Sequence, residues 1–246
     1  MSGHSKWNNI KRKKEKTDAS RAKIFTKIGR ELSVAVKAGG ADPSCNAKLR
    51  DCIQKAKDNN VPNDNIERII KKALNENNSI SYEEITYEGY GVGGVAFIVE
   101  CLTDNKNRTA GNLRCYFEKC KGKLGTSGCV SYLFSEKGAI LLDRSDISKD
   151  DEERLFLLAV EVGAENIIDE KESYTIFTPS EQLYDISDRL KDAGFVFESC
   201  KKGLFPENLV TVNEAELEQL NRLLCFLEED DDVQEIYHNC ENLDQV

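Results

Sequence analysis

Ten of the first thirty residues are lysine or arginine against two acids, a local net charge of +8 in a chain whose total is -10. Lys6, Lys11, Arg12, Lys13, Lys14 and Lys16 precede Arg21, Lys23, Lys27 and Arg30, and Trp7, the single tryptophan, stands inside the run. Cations in this density neutralise phosphates, and a flat indole among them can stack on an unpaired base. The candidate nucleic-acid contacts are therefore Lys6, Lys11, Arg12, Lys13, Lys14, Lys16, Lys23, Lys27 and Arg30 on the backbone, with Trp7 as a stack. Such contacts position a protein without specifying sequence. The competing reading is a solvated basic tail. A second candidate is Asn105-Lys106-Asn107-Arg108-Thr109, expected at a strand-to-helix junction. There free backbone N–H groups, Lys106 and Arg108 could hold a phosphate, with an Asn-capped helix start as the alternative.

The residue types that do covalent or metal chemistry are badly placed for it. His4 and His238 lie at opposite ends of the chain. The nine cysteines are odd in number and scattered, and no Cys-x-x-Cys pair occurs. They read as reduced thiols, with Cys52, Cys101 and Cys225 on apolar faces of predicted elements. No Ser-His-Asp set or dinucleotide fingerprint is present. Gly89, Gly91, Gly93 and Gly94 join two strands rather than opening a helix, so they read as a hairpin turn, not a phosphate loop. No catalytic residue, metal site or cofactor is expected. No apolar run approaches the ~20 residues of a membrane span, and the start lacks the apolar core of a secretory signal. The expectation is a cytoplasmic protein with no membrane partner.

The elements that must carry these residues fall into three groups. Apolar positions at helical spacing predict helices over about 18–38, 44–59 and 64–74, the first capped by Asp18 and the third opened by an Asp64–Glu67 capping box. Residues 1–75 hold 18 basic and 8 acidic side chains (+10), whereas 76–246 hold 16 and 36 (-20). The break near 75–81 predicts a boundary after a basic helical domain, residues 1–78. Beyond it the pattern alternates. Strands are predicted at Thr86–Glu88, Val95–Glu100, Cys129–Phe134, Ala139–Leu142, Asn166–Asp169, Tyr174–Thr178, Phe195–Glu198, Asn208–Val212 and Val233–Tyr237, with helices over 108–120, 152–162, 181–193 and 214–229. Residues 136–205 spell β-α-β-β-α-β, and 79–135 joined to 206–246 spell it again. The predicted fold is α+β and multidomain, an N-terminal three-helix domain plus two ferredoxin-like domains, one inserted in the other. The acidic run Glu228-Glu229-Asp230-Asp231-Asp232 ends the last long helix against its dipole, and reads as a solvated loop or a protein-partner surface.

Gly3-His4-Ser5-Lys6-Trp7, Lys23–Ile28, Glu88-Gly89-Tyr90-Gly91, Glu100–Thr109, Leu124–Gly128 with Tyr132-Leu133-Phe134, and Asp231–Asn239 form a distinctive set of stretches. Together they resemble the YebC/PmpR family, which includes the mitochondrial translational activators of cytochrome oxidase. The resemblance spans the whole chain. It implies a helical N-terminal domain with two α+β domains, and a role in gene expression as a cytoplasmic DNA-binding transcriptional regulator or a ribosome-associated translation factor. Two departures stand out: Lys121-Gly122-Lys123-Leu124 where the family usually has a Gly-Gly pair, and Ala47 in place of a common proline. The expected partner is DNA, with ribosomal RNA as the alternative and a pure protein adaptor as a third class.

Overall fold

A computed structural model describes residues 18–75 and 82–243. It opens with α1 (Asp18–Gly39), α2 (Ala47–Asp58) and α3 (Asn63–Asn75). Each helix has one apolar stripe, and Ile28, Leu32, Leu49, Cys52, Ala56 and Ile66 close on one another as a buried cluster. The buried Asn46 side chain fixes the first corner. Its amide donates to the Ala35 and Gly40 carbonyls, both at 2.8 Å, and its Oδ1 accepts from Leu49 N at 3.0 Å. One side chain thus caps the end of α1 and the start of α2. Gly40, at φ +84, supplies the left-handed residue that stops α1. The third helix starts at Asn63, which puts Asp64 in its first turn as a favourable charge instead of the predicted cap.

Two four-stranded sheets follow, antiparallel at every pairing. The first contains β1 (Glu83–Tyr90), β2 (Ala96–Thr103), β3 (Lys123–Leu124) and β8 (Val233–His238), in the order β3-β1-β2-β8. Helices α4 (Lys106–Lys119) and α7 (Glu214–Glu229) cover one face, burying Phe97, Val99, Leu113, Phe117, Leu220 and Leu223. The second sheet contains β4 (Phe134–Asp143), β5 (Asn166–Asp169), β6 (Ser173–Pro179) and β7 (Ser199–Pro206), in the order β5-β6-β4-β7. Its helices are α5 (Lys149–Glu161) and α6 (Leu183–Asp192), packed on Ile140, Leu142, Tyr174 and Ile176. All strands of the second sheet lie between two stretches of the first.

The mixed α/β class and the three opening helices are as the sequence predicts, and several elements differ. In the outer unit the strand beside β2 comes from Glu83–Tyr90, before the helix, so the spatial plan of a split βαβ is reached by another chain order. Asn208–Val212, predicted as a strand, contributes only a bridge from Val210 to Cys240. Cys129–Leu133 is a turn leading into β4, and the closing strand of the insert runs over Ser199–Pro206 instead of Phe195–Glu198. The glycine cluster is the hairpin expected of it: Tyr90 pairs with Ala96, and Gly93 and Gly94 take φ of +72 and +76 in the turn. Cys225 is exposed, whereas Cys52 and Cys101 are buried, and none of the nine cysteines is in a disulfide.

Candidate nucleic-acid interface

Lys6, Trp7, Lys11, Arg12, Lys13, Lys14 and Lys16 lie outside the described residues. The cations of α1 that follow them are in view, and they meet the acidic run at the end of α7. Lys27 Nζ donates to the Glu228 carbonyl at 3.2 Å, Lys23 Nζ to the Glu229 carbonyl at 3.4 Å, and Arg30 Nη1 to the Asp231 carbonyl at 2.8 Å. The Glu228 and Glu229 carbonyls are among those a helix leaves without intrahelical partners at its C-terminus, the negative end of its dipole, and Asp231 follows just past the Asp230 cap. The acidic residues therefore do not end α7 unopposed. The first helix of the same chain supplies the positive charge.

Asp232 anchors this contact, and the solvated-loop reading fails there: only 5% of the residue is exposed. Its Oδ1 takes Arg30 Nη1 at 3.2 Å, and its Oδ2 takes Arg108 Nη2 at 2.8 Å, Thr109 Oγ1 at 2.9 Å and Thr103 Oγ1 at 3.1 Å. Burial works to raise the carboxyl pKa, but the hydrogen bonds from Arg108, Thr109 and Thr103 outweigh it and hold the group below its ordinary value. Neighbouring Asp230 accepts from Tyr116 Oη at 3.1 Å and Asn112 Nδ2 at 3.3 Å.

The second candidate stretch follows the Asn-cap alternative. Asn105 Oδ1 accepts from Arg108 N at 3.1 Å, Arg108 reaches back to Asp104 at 2.7 Å, and Lys106 lies 3.9 Å from Glu83. The carboxylates of Asp104 and Asp232 take the place of a phosphate at Arg108.

The helical unit has further polar ties. Lys55 Nζ lies between Glu31 at 2.7 Å and Glu235 of β8 at 2.9 Å. Burial opposes its charge, and the two carboxylates more than compensate and raise its pKa. Lys48 pairs with Glu84, and Lys202 of β7 lies 3.8 Å from Asp51. Between the three groups of elements is a cleft of about 1610 Å³, lined by α1, α2, β8 and one face of the β5-β6-β4-β7 sheet.

A third feature escaped sequence reasoning. Glu88 is a buried carboxylate that accepts from Gly128 N at 2.7 Å, Val130 N at 2.7 Å and Ser131 N at 2.9 Å, and so fixes the exposed turn Gly125–Gly128. Burial raises its pKa, and these three backbone donors bring the net shift below the usual value. Strand alternation, with Tyr87 on the helix-covered face, turns Glu88 to the opposite face beside Ile98, so no local pattern marked it as buried.

The fold and this geometry define a mixed α/β protein in which a basic three-helix unit is strapped to an acidic body of two antiparallel sheets. The crystal structure of a conserved hypothetical protein from Aquifex aeolicus has the same architecture, with a TM-score of 0.80, 42% identity and 92% of each chain covered. Residues 5–76 match the family model described as the TACO1/YebC protein N-terminal domain, and residues 82–240 match the TACO1/YebC second and third domain. The chain belongs to the TACO1/YebC family. A relative from Agathobacter rectalis is 52% identical over 242 residues, 98% of this chain and 100% of that protein. One from Geobacillus kaustophilus is 50% identical over 239 residues, 97% of each. Both are named probable transcriptional regulatory protein, and at family level the chain is a regulatory protein.

Proposed function

We propose that the protein is a non-catalytic regulator of gene expression that binds DNA through its basic helical unit, as a cytoplasmic transcriptional regulator. The observation that carries this reading is the charge division, +10 over residues 1–75 against -20 over the remainder. An acidic body repels a polyanion and leaves the helical unit as the approach surface. Lys6, Lys11, Arg12, Lys13, Lys14 and Lys16 supply phosphate contacts from the arm and Trp7 a stack. Lys23, Lys27 and Arg30 join them by exchanging their partners at and just past the end of α7 for phosphate oxygens, and Lys106 and Arg108 lie beside that contact. Lys48, Arg50, Lys57, Arg68 and Lys71 are exposed on α2 and α3 and extend the surface. Nine cysteines without a disulfide fit a reducing compartment, and among the described residues no helix is long and apolar enough to cross a membrane.

A second reading, a translation factor on ribosomal RNA, is favoured by one observation: two half-buried aromatic rings, Phe177 and Phe205, line the cleft. Competition binding at several salt concentrations separates the two, using the full chain and a version lacking residues 1–16 on duplex DNA, structured RNA and intact ribosomes. With six to eight phosphates neutralised, the log–log salt slope on duplex DNA is expected at roughly -5 to -7, and shallower after truncation. Preference for ribosomes would establish the second reading. Absence of salt-dependent binding to all three would overturn both.

A further inference from the structure

The cations of α1 assigned above to nucleic acid stand in one row. Lys23, Lys27 and Arg30 recur at i, i+4 and i+7, which brings them to one side of the helix. That row is already occupied by the chain's own acceptors. Lys23 and Lys27 hold the Glu229 and Glu228 carbonyls, and Arg30 holds the Asp231 carbonyl and the Asp232 carboxylate. Arg108, from the second candidate stretch, shares that carboxylate through its other oxygen. Five consecutive acids, Glu228–Asp232, thus set dense negative charge against the row a polyanion would take.

The way the helical unit is held makes this occupancy reversible. Its apolar cluster closes among residues 24–73 and shares no residue with the clusters of the body. Ionic ties cross where no common core does. Besides the α1 row, Lys55 reaches Glu235 at 2.9 Å, Lys48 pairs with Glu84, and Lys202 lies 3.8 Å from Asp51. Lys23, Lys27, Lys55 and Glu235 line the cleft between the helical unit and the body, so these ties border a gap. Surface ion pairs are individually weak and screened by salt. Phosphates along a nucleic acid offer the same cations a continuous line of acceptors, with release of counterions. Asp232 also has Arg108, Thr103 and Thr109 as partners. Departure of Arg30 therefore leaves the carboxylate paired and the body's side of the contact intact.

We propose that the acidic run 228–232 is an internal competitor for the nucleic-acid surface of α1. In the resting chain it holds the helical unit closed against the body, and a bound polyanion displaces it and releases the unit. The inference rests on the nucleic-acid reading above and adds the regulation of that surface. A protein that binds only when open shows an apparent dissociation constant raised by the inverse of its open fraction. Weakening the closure from the body's side therefore tightens binding, although no contact to nucleic acid is added.

The test uses the full chain with a labelled DNA duplex and a structured RNA, the tighter of the two serving as probe. Asp232→Asn and Glu235→Gln each weaken a tie to the helical unit without altering a cation. Each is expected to tighten binding about three- to ten-fold at low salt. Asp231→Asn removes the same charge from the adjacent position but leaves the backbone carbonyl for Arg30. It should change affinity by less than about two-fold, the part due to general repulsion alone. Circular dichroism first establishes that each variant is folded, and Glu235→Gln carries the comparison where Asp232→Asn does not fold. Hydrogen exchange of the unmodified protein needs no variant. Saturating probe should speed exchange in residues 226–237, because the last turn of α7 loses the side chains that satisfy its carbonyls. Unchanged or weaker binding by the folded closure variants, an equal gain from Asp231→Asn, or unchanged or slower exchange in 226–237 would each overturn the closure. Those outcomes leave the helical-unit reading standing. Failure of the parent and every variant to bind either probe overturns both.

Discussion

His238 is nine-tenths buried, with its ring 5.8 Å from Phe97. Burial pushes its pKa down to about 4, against about 6.5 for an unfolded chain. Between those values the unfolded state binds a proton that the folded state refuses. The residue therefore removes nothing above pH 6.5, and it lowers stability progressively as the pH falls from 6.5 to 4. At roughly 1.4 kcal/mol per unit the loss totals about 3 kcal/mol. His238→Phe should flatten this component. Urea midpoints at pH 7, 6 and 5 check it, and an unchanged difference between variant and parent across that range would refute it. Two departures from the family pattern also have physical consequences. Ala47 is the first residue of α2, after the Asn46 cap at φ -118 and ψ 92, a backbone that tolerates a following proline. Ala47→Pro should raise stability by about 0.4–1 kcal/mol through the unfolded state. Lys121 adopts φ +57 where a glycine would be unstrained, so Lys121→Gly should be neutral or stabilising by up to about 1 kcal/mol. Thermal melting checks both, and a clear fall in midpoint would contradict the assignment.

At the scale of elements, the contact between α1 and the end of α7 makes opposite predictions for adjacent acids. Asp232 binds through its carboxylate, whereas Asp231 offers Arg30 only its backbone carbonyl. Asp232→Asn should cost about 2–3 kcal/mol, the range for charge-assisted hydrogen bonds in a buried setting. Asp231→Ala, on an exposed side chain, should stay within about 0.5 kcal/mol. Denaturant titration of both variants is the measurement, and equal effects would show that the run acts by net charge instead of geometry. The same contact marks the limit of what the sequence discloses. Helices and hairpins were legible where a period of 3.6 or 2, a cap or a glycine turn is local. Asn208–Val212 misled because its alternation suits a strand, yet β1 already holds the position beside β2. The bond from Arg30 to Asp232 crosses 202 positions, and no local pattern announces it. Phe177 and Phe205 were visible as residues. Their meeting on one face required the β6-β4-β7 order, which the topology alone reveals.

At the scale of the molecule, the insert begins and ends on neighbouring strands. Phe134 pairs with Pro206, and Glu207 N donates to the Leu133 carbonyl at 2.9 Å. Its apolar cluster closes among its own residues, around Ile140, Leu155, Tyr174, Ile176, Leu183 and Leu190. The outer unit's main cluster uses none of them. Across the junction the shared apolar contact is smaller, with Leu204 packed on Ala96, Ile98, Val130 and Phe134. We infer that residues 136–205 form a separable domain. Replacing them by a short Gly/Ser linker closes a gap that adjacent strands already span, so the loop-closure cost is small. The remainder should stay folded and lose about 1–2 kcal/mol from the exposed junction. It should keep duplex affinity on its helical unit. The isolated insert should fold alone, with a cooperative thermal transition by circular dichroism. Unfolding of either fragment would show that the two sheets form one cooperative unit. In that case the cleft is a fixed feature of the fold, not the product of docking between independent parts.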